Sequence, residues 1–377
     1  MAEGTDAGNL VLLQERTTIN GGKLGFATLN SPRSLNALSL DMIRLLDAQL
    51  QRWAEDPQIV CVILSGSGEK GLCAGGDVRR IREAIRAHPA AVPNPLALDF
   101  FTAEYRLDYH IHTYPKPIMV WGDGIVMGGG LGLLAGASHR VVTERSRLAM
   151  PEVSIGLYPD VGASWFLPRM PGRTGLFLAL TGASLNAHDA LVVGLADHFL
   201  AAADREGVWQ HLVDAEWDAS GDENHAILSR LLRSFAALSV DEIPVSNVQL
   251  NTHAIQRATD GDDLVEVTAS ICGYQGDDPW MRRAADTLLK GSPTSAALVW
   301  EIRRRAKHFS LVEAFRMELI VSVQCCAHPD FAEGVRALLI DKDNAPHWTP
   351  STLAEVSPQW LAEHFRAPWR DSPLSDL

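Results

Sequence analysis

The sequence predicts an α/β fold whose second half is helical, and three observations carry that expectation. Between about residues 10 and 200, short apolar runs of strand length alternate with glycine-rich turns and helical periods, a repeat that places site loops at strand ends. Two of those turns are dense in glycine, Gly75-Gly76 and Gly128-Gly129-Gly130. Beyond about Ala201 strand signals fade, and helical periods alternate with polar stretches. The division that follows is a core over 10–200 and a helical C-terminal region over 201–367.

The chain opens with paired strands, because Leu10 to Thr17 and Lys23 to Leu29 flank Asn20-Gly21-Gly22, whose glycines suit a positive-φ hairpin turn. Ser39 then caps a helix in which Met42, Leu45, Leu46 and Trp53 share one face before Pro57 stops it. A buried strand, Val60 to Ser65, leads into a glycine-rich loop over 66–76 and helices near 78–87 and 95–113. A strand at Ile118 to Trp121 runs through Gly122-Asp123-Gly124 to the triple glycine. A helix over Leu131 to Ala137 and a strand over Arg140 to Thr143 follow. In the second half, Ser220 to Asp263 reads as a partly loose insertion, Glu301 to His308 and Leu311 to Ser322 as amphipathic helices, and the tail beyond Ala367 as frayed.

At 377 residues, with 46% hydrophobic and 21% charged residues, the chain has the make-up of a large folded protein and not of a disordered one. A formal net charge of -13 argues against a nucleic-acid partner, although a few basic residues suffice to hold the phosphates of a cofactor-sized ligand. Five cysteines without CxxC spacing indicate neither a disulfide framework nor a zinc site, so no metal is expected. Met1 to Asn9 is small, polar and acidic, with no apolar or Arg-rich leader, and reads as a short loose tail. No window approaches the length of a membrane span, so no membrane partner is expected, and the simplest location is a reducing, cytoplasmic one.

Three constellations could carry chemistry. Cys73-Ala74-Gly75-Gly76-Asp77 follows a strand, and its glycines allow a backbone N–H to face a substrate oxygen where a Cβ would block it; it equally suits an ordinary turn capped by Asp77. Met127-Gly128-Gly129-Gly130 opens a helix, which aims free N–H groups at developing negative charge, or merely lets helices pack closely. It lacks the register of a dinucleotide-binding loop. In the third, Glu152 and Asp160 are separated by turn-forming Gly156 and Pro159 and could converge for acid/base work, although acidic loop residues are commonly solvated or capping. A Ser–His or Cys–His nucleophile is disfavoured: there is no G-x-S-x-G elbow, so Ser164 caps or packs, Cys73 fills a small buried site, and His110, His139 and His188 are structural or exposed.

In this order, from about Leu10 to Phe365, the three constellations resemble the crotonase (enoyl-CoA hydratase/isomerase) superfamily. The 3-hydroxyisobutyryl-CoA hydrolase branch matches best, through Leu35 to Ser39, Phe100 to Tyr105, Met150 to Gly162 and Asp330 to Pro350. The last stretch lies outside the core that most crotonases share. The resemblance implies a crotonase-like ββα spiral core, oxyanion-hole amides on Gly76 and Gly129, catalytic carboxylates at Glu152 and Asp160, and Glu104 in the substrate pocket near the substrate hydroxyl. Hydratases of the superfamily carry a first glutamate where this chain has Gly132, so paired addition of water to a double bond lacks a partner here.

The implied activity is hydrolysis of a small 3-hydroxyacyl-CoA in valine breakdown, with the acyl-CoA as substrate and partner. No cofactor is expected, because acyl transfer needs only charge stabilisation and proton handling. A homo-oligomer, trimer or hexamer, is implied by the same resemblance. The alternatives are a hydratase or isomerase that uses Glu152 alone, and a catalytically silent acyl-CoA-binding protein.

Overall fold

Gly21 at φ +91° reverses the chain between β1 (Val11–Thr17) and β2 (Lys23–Leu29), which pair antiparallel with Val11 opposite Leu29 and Thr17 opposite Lys23. The structure, a computed structural model, describes residues 10–377; the expected loose tail, Met1 to Asn9, lies outside the described residues. Every residue of β3 (Ile59–Gly66) is buried, as befits a parallel strand covered on both faces. Beyond it come β4 (Gly71–Cys73), β5 (Ile118–Gly122), β6 (Ile125–Met127), β7 (His139–Val142), β8 (Arg147–Ala149) and β9 (His198–Phe199).

Two sheets result among the described residues, one ordered β1-β2-β3-β5-β7-β9 and parallel after its first pair, the other ordered β4-β6-β8. The loop expected over 66–76 therefore contains a strand. Its partner is β6, with Gly71 opposite Ile125 and Cys73 opposite Val126, some fifty positions further on, where local periodicity carries no signal.

Compactness groups the described chain into two units, each built from several segments, whereas the 10–200 and 201–367 division follows element type. The first unit holds residues up to Gly76, 110–148 and 185–246. Its core joins Leu24, Phe26, Ile63, Met119 and Trp121 from the sheet to Val208, Trp209 and Leu212 of helix Arg205–Asp214 and Leu228 and Leu232 of helix Asn224–Leu238. Helix Leu40–Glu55 starts where Ser39 accepts the Met42 N–H at 3.2 Å, and it buries Met42, Ile43, Leu46, Leu50 and Trp53.

The second unit comprises 77–109, 149–184 and 247–377 and is mostly helical. Two expectations are corrected. The stretch from Ser220 to Asp263 carries helices Asn224–Leu238 and Asn247–Ala258, because apolar residues at helical spacing outweigh the polar turns between them. The tail is docked, not frayed. Leu374 is fully buried, Arg316 donates to the carbonyls of Leu374, Ser375 and Leu377, and Arg106 grips both oxygens of Asp376 at 2.8 and 2.5 Å.

Candidate active site

Within the first unit the two glycine loops lie against each other. A Cβ on Gly130 would stand 2.4 Å from the Cys73 carbonyl oxygen, and one on Gly75, at φ +107°, would meet the backbone of Met127 and Gly129. Leu35 and Asn36 both adopt positive φ, and from that turn Leu35 accepts the Ala74 N–H at 3.0 Å while Leu38 donates to the Gly75 carbonyl at 2.8 Å. The bridge to Leu38 is parallel and centred on Gly76, a pattern that engages the groups of the flanking residues and not the Gly76 N–H. Asn36 braces the turn through the carbonyls of Ser67 and Gly71. Gly129 is the first residue of helix Gly129–Ala135, so its N–H has no acceptor within the helix.

Within the second unit Glu104, Asp108, Glu152 and Asp160 are all buried, between 0% and 5% exposed. Glu152 opens the 3-10 turn Glu152–Ile155 behind Pro151, and Gly156, at φ +69°, ends it. A Cβ on Gly156 would collide with the Asp330 backbone at 2.3 Å, and one on Gly334 with Ile155 at 2.5 Å. The distal stretch beginning at Asp330 thus packs directly on the Glu152 turn, and hydrogen bonds from the Ser292 hydroxyl and the Thr349 N–H to Asp330 hold it there.

Asp160 accepts the Tyr105 hydroxyl at 2.6 Å. Tyr105 lies at 2.7 Å from Ser322, and Ser322 at 2.9 Å from Tyr158, whose hydroxyl also reaches the Glu318 carbonyl. One oxygen each of Glu104 and Glu152, and both of Asp108, have no hydrogen-bond partner among the described residues.

Electrostatics separates these carboxyls. Burial pushes Glu104, Asp108 and Glu152 well above the ordinary carboxylate range, and the Asp160 charge pushes Glu104 and Glu152 further the same way; for Asp108 the charges of Glu104, Asp160 and Glu318 do so. Burial also raises Asp160, but the hydrogen bond from Tyr105 pulls back, leaving it at about 6. As pH rises the negative charge therefore settles first on Asp160, and Glu152 and Glu104 hold their protons longer.

Glu104, Glu152 and Asp160 are thus brought together in one unit, and Gly76 and Gly129 in the other. Cys73 is buried, as expected. Ser164 donates to Glu318 at 2.5 Å. His110 pairs with Asp47, His139 with Ser229, and His188 with the Pro244 carbonyl. Sequence reasoning missed Asp108 and Glu318. The available signal was an acid on the apolar face of a helix: Asp108 one turn from Glu104, and Glu318 in register with Ala314, Phe315 and Ser322.

Known proteins agree on the kind of molecule. The sequence profile described as enoyl-CoA hydratase/isomerase matches residues 24–365. A Danio rerio protein named mitochondrial 3-hydroxyisobutyryl-CoA hydrolase is 42% identical over 345 residues, 91% of this chain and 87% of that protein. A Homo sapiens protein of the same name is 36% identical over 372 residues, 97% of this chain and 91% of that one. A crystal structure described as a carnitinyl-CoA dehydratase from Mycobacterium thermoresistibile superposes with a TM-score of 0.84 at 36% identity, covering 97% of this chain and 99% of that one. The names of both relatives place them in mitochondria, which overturns the expectation of a cytoplasmic location. Cysteine usage reports a reducing environment and does not tell one such compartment from another.

Proposed function

The chain belongs to the enoyl-CoA hydratase/isomerase family and has its crotonase fold, and from that premise we propose that it hydrolyses a small 3-hydroxyacyl-CoA thioester, foremost 3-hydroxyisobutyryl-CoA, to the hydroxy acid and CoA, a step of valine breakdown. The hydrolase names of relatives that match nearly the whole chain support this reading. The observation that carries it within the molecule is the buried pair Glu152 and Asp160, whose environments drive their proton affinities apart.

In this reading the N–H groups of Gly76 and Gly129 form the oxyanion hole that steadies the thioester oxygen as it gains negative charge; losing one such donor typically costs on the order of 10²–10³ in rate. Water adds to the carbonyl carbon, the C–S bond breaks, and the thiolate leaves with a proton. Asp160, the carboxyl that ionises first, orients or deprotonates the water. Glu152, once it has given up the proton that burial favours, acts as general base toward that water; alternatively it attacks the carbonyl carbon itself, displacing the thiolate, and the water then opens the resulting mixed anhydride to free the hydroxy acid and the Glu152 carboxyl. Glu104, with its unpaired buried oxygen, is suited to the substrate hydroxyl. No residue role calls for a metal or redox group, and the enzyme works as a trimer or hexamer.

The dehydratase description of the Mycobacterium structure favours a second reading, in which water adds to or leaves a double bond. Gly132, in helix Gly129–Ala135, provides no second acid for that chemistry.

Free-thiol release from 3-hydroxyisobutyryl-CoA, 3-hydroxypropionyl-CoA and crotonyl-CoA separates the readings. Release from the hydroxyacyl esters that falls at least 10²-fold in both Glu152→Gln and Asp160→Asn is the expected result. Loss of the crotonyl absorbance without thiol would establish the second reading instead.

A further inference from the structure

The residues around Asp160 are held by a helix that no functional role has yet claimed. Helix Leu311–Ala327 buries Glu318 completely, and its carboxyl accepts the Gly162 N–H at 2.8 Å, the Ser164 N–H at 2.9 Å and the Ser164 hydroxyl at 2.5 Å. Between Asp160 and these anchors the backbone is strained: Val161, a β-branched residue, sits at φ +50°, followed by Gly162 at φ +87°. A turn of that kind persists only where its surroundings over-determine it, and three hydrogen bonds to one side chain do so here.

One turn further along the same helix stands Ser322. Its hydroxyl links Tyr158 to Tyr105, and Tyr105 donates to the Asp160 carboxylate. Since Tyr105 has one proton and gives it to Asp160, Ser322 donates to Tyr105; Tyr158 likewise has one proton, and the Glu318 carbonyl takes it. The chain of donors ends at Asp160.

We propose that Glu318, Ser322 and Tyr105 are positioning residues for Asp160: Glu318 fixes the strained turn that aims its side chain, and Ser322 and Tyr105 set the hydrogen bond that holds its negative form. The proposal rests on the role of Asp160 in the hydrolase reading. The groups that feel the Asp160 charge are Glu104, Tyr105 and Asp108 on helix Pro95–His112, Glu152 and Tyr158 nearer in the chain, and Glu318, Cys325 and Cys326 on helix Leu311–Ala327. Among these, Tyr105 is the one that donates to Asp160, and its bond pulls the Asp160 proton affinity down.

The test is the pH dependence of thiol release from 3-hydroxyisobutyryl-CoA by the full chain. Tyr105→Phe removes the donor, so Asp160 holds its proton more tightly and the rising limb of kcat/KM moves up by about one pH unit, with activity recovered on the alkaline side. Ser322→Ala moves it the same way by less. Glu318→Gln must turn an amide N–H against a backbone donor, so kcat falls about 10²-fold at every pH while KM holds.

A folded Tyr105→Phe whose profile superposes on the native one, or Glu318→Gln with native kcat, would overturn the proposal. Should Tyr105→Phe fail to fold, Ser322→Ala decides by the same criterion. Full turnover by Asp160→Asn would instead bring down the hydrolase role of Asp160 itself. Loss of turnover there, with unmoved profiles in the other variants, would sink the positioning proposal alone.

Discussion

At the scale of single residues, the site is a contest between burial and hydrogen bonding. Asp108 shows the losing side: it is fully buried, neither oxygen has a partner among the described residues, and burial together with the charges of Glu104, Asp160 and Glu318 pushes its proton affinity up. An acid whose folded pKa lies above its unfolded value stabilises the fold while protonated, and that contribution fades as pH rises through the folded pKa. Asp108→Asn cannot ionise, so its melting temperature relative to the native protein should climb between pH 5 and pH 8. A difference that stays flat or shrinks over that range would mean Asp108 is not held neutral. Asp160 shows the other outcome, since one donor of good geometry keeps it at about 6 in equally buried surroundings.

At the scale of elements, the distal stretch from Asp330 acts by contact. Gly334 lies in helix Pro329–Val335 with its Cα turned to the Ile155 backbone, so a methyl there would sit at 2.5 Å and must displace the Glu152 turn. Gly334→Ala should therefore destabilise by about 1–3 kcal/mol, the usual cost of overpacking. It should also lower kcat roughly tenfold or more, because the turn that carries Glu152 is the part that yields. Native kcat in a variant with a lowered melting temperature would show that the displacement spares the turn.

At the scale of the whole molecule, the C-terminal tail is structural. Arg106 and Arg316 reach it from two helices, Pro95–His112 and Leu311–Ala327, and Leu374 is buried beneath it. Those helices also bear Glu104 and Tyr105 on one and Glu318 and Ser322 on the other. Burial of one leucine is worth about 2 kcal/mol, so deletion of residues 372–377 should lower the melting temperature measurably, most of it reproduced by Leu374→Ala. The Arg106–Asp376 ion pair is exposed to solvent, so Asp376→Asn should leave the melting temperature close to that of the native protein. An unchanged melting temperature after the deletion would restore the frayed tail.

Local pattern determined the elements and the family. The hairpin at Gly21, the cap at Ser39, the two glycine loops and the helices of the second half were legible because turn chemistry, capping and periodicity act over a few residues. Glu152 and Asp160 were legible as a candidate pair from the turn between them, but only the resemblance assigned them a catalytic role, since eight positions of chain do not say where two side chains point. What tertiary structure alone decided were relations between distant residues: β4 with β6, Gly334 with Ile155, Leu374 with Arg316, and Glu318 with the Asp160 turn, more than 150 positions apart. Buried polar partners carry no local periodicity, because the low dielectric that makes their pairing obligatory exists only once the fold has closed around them.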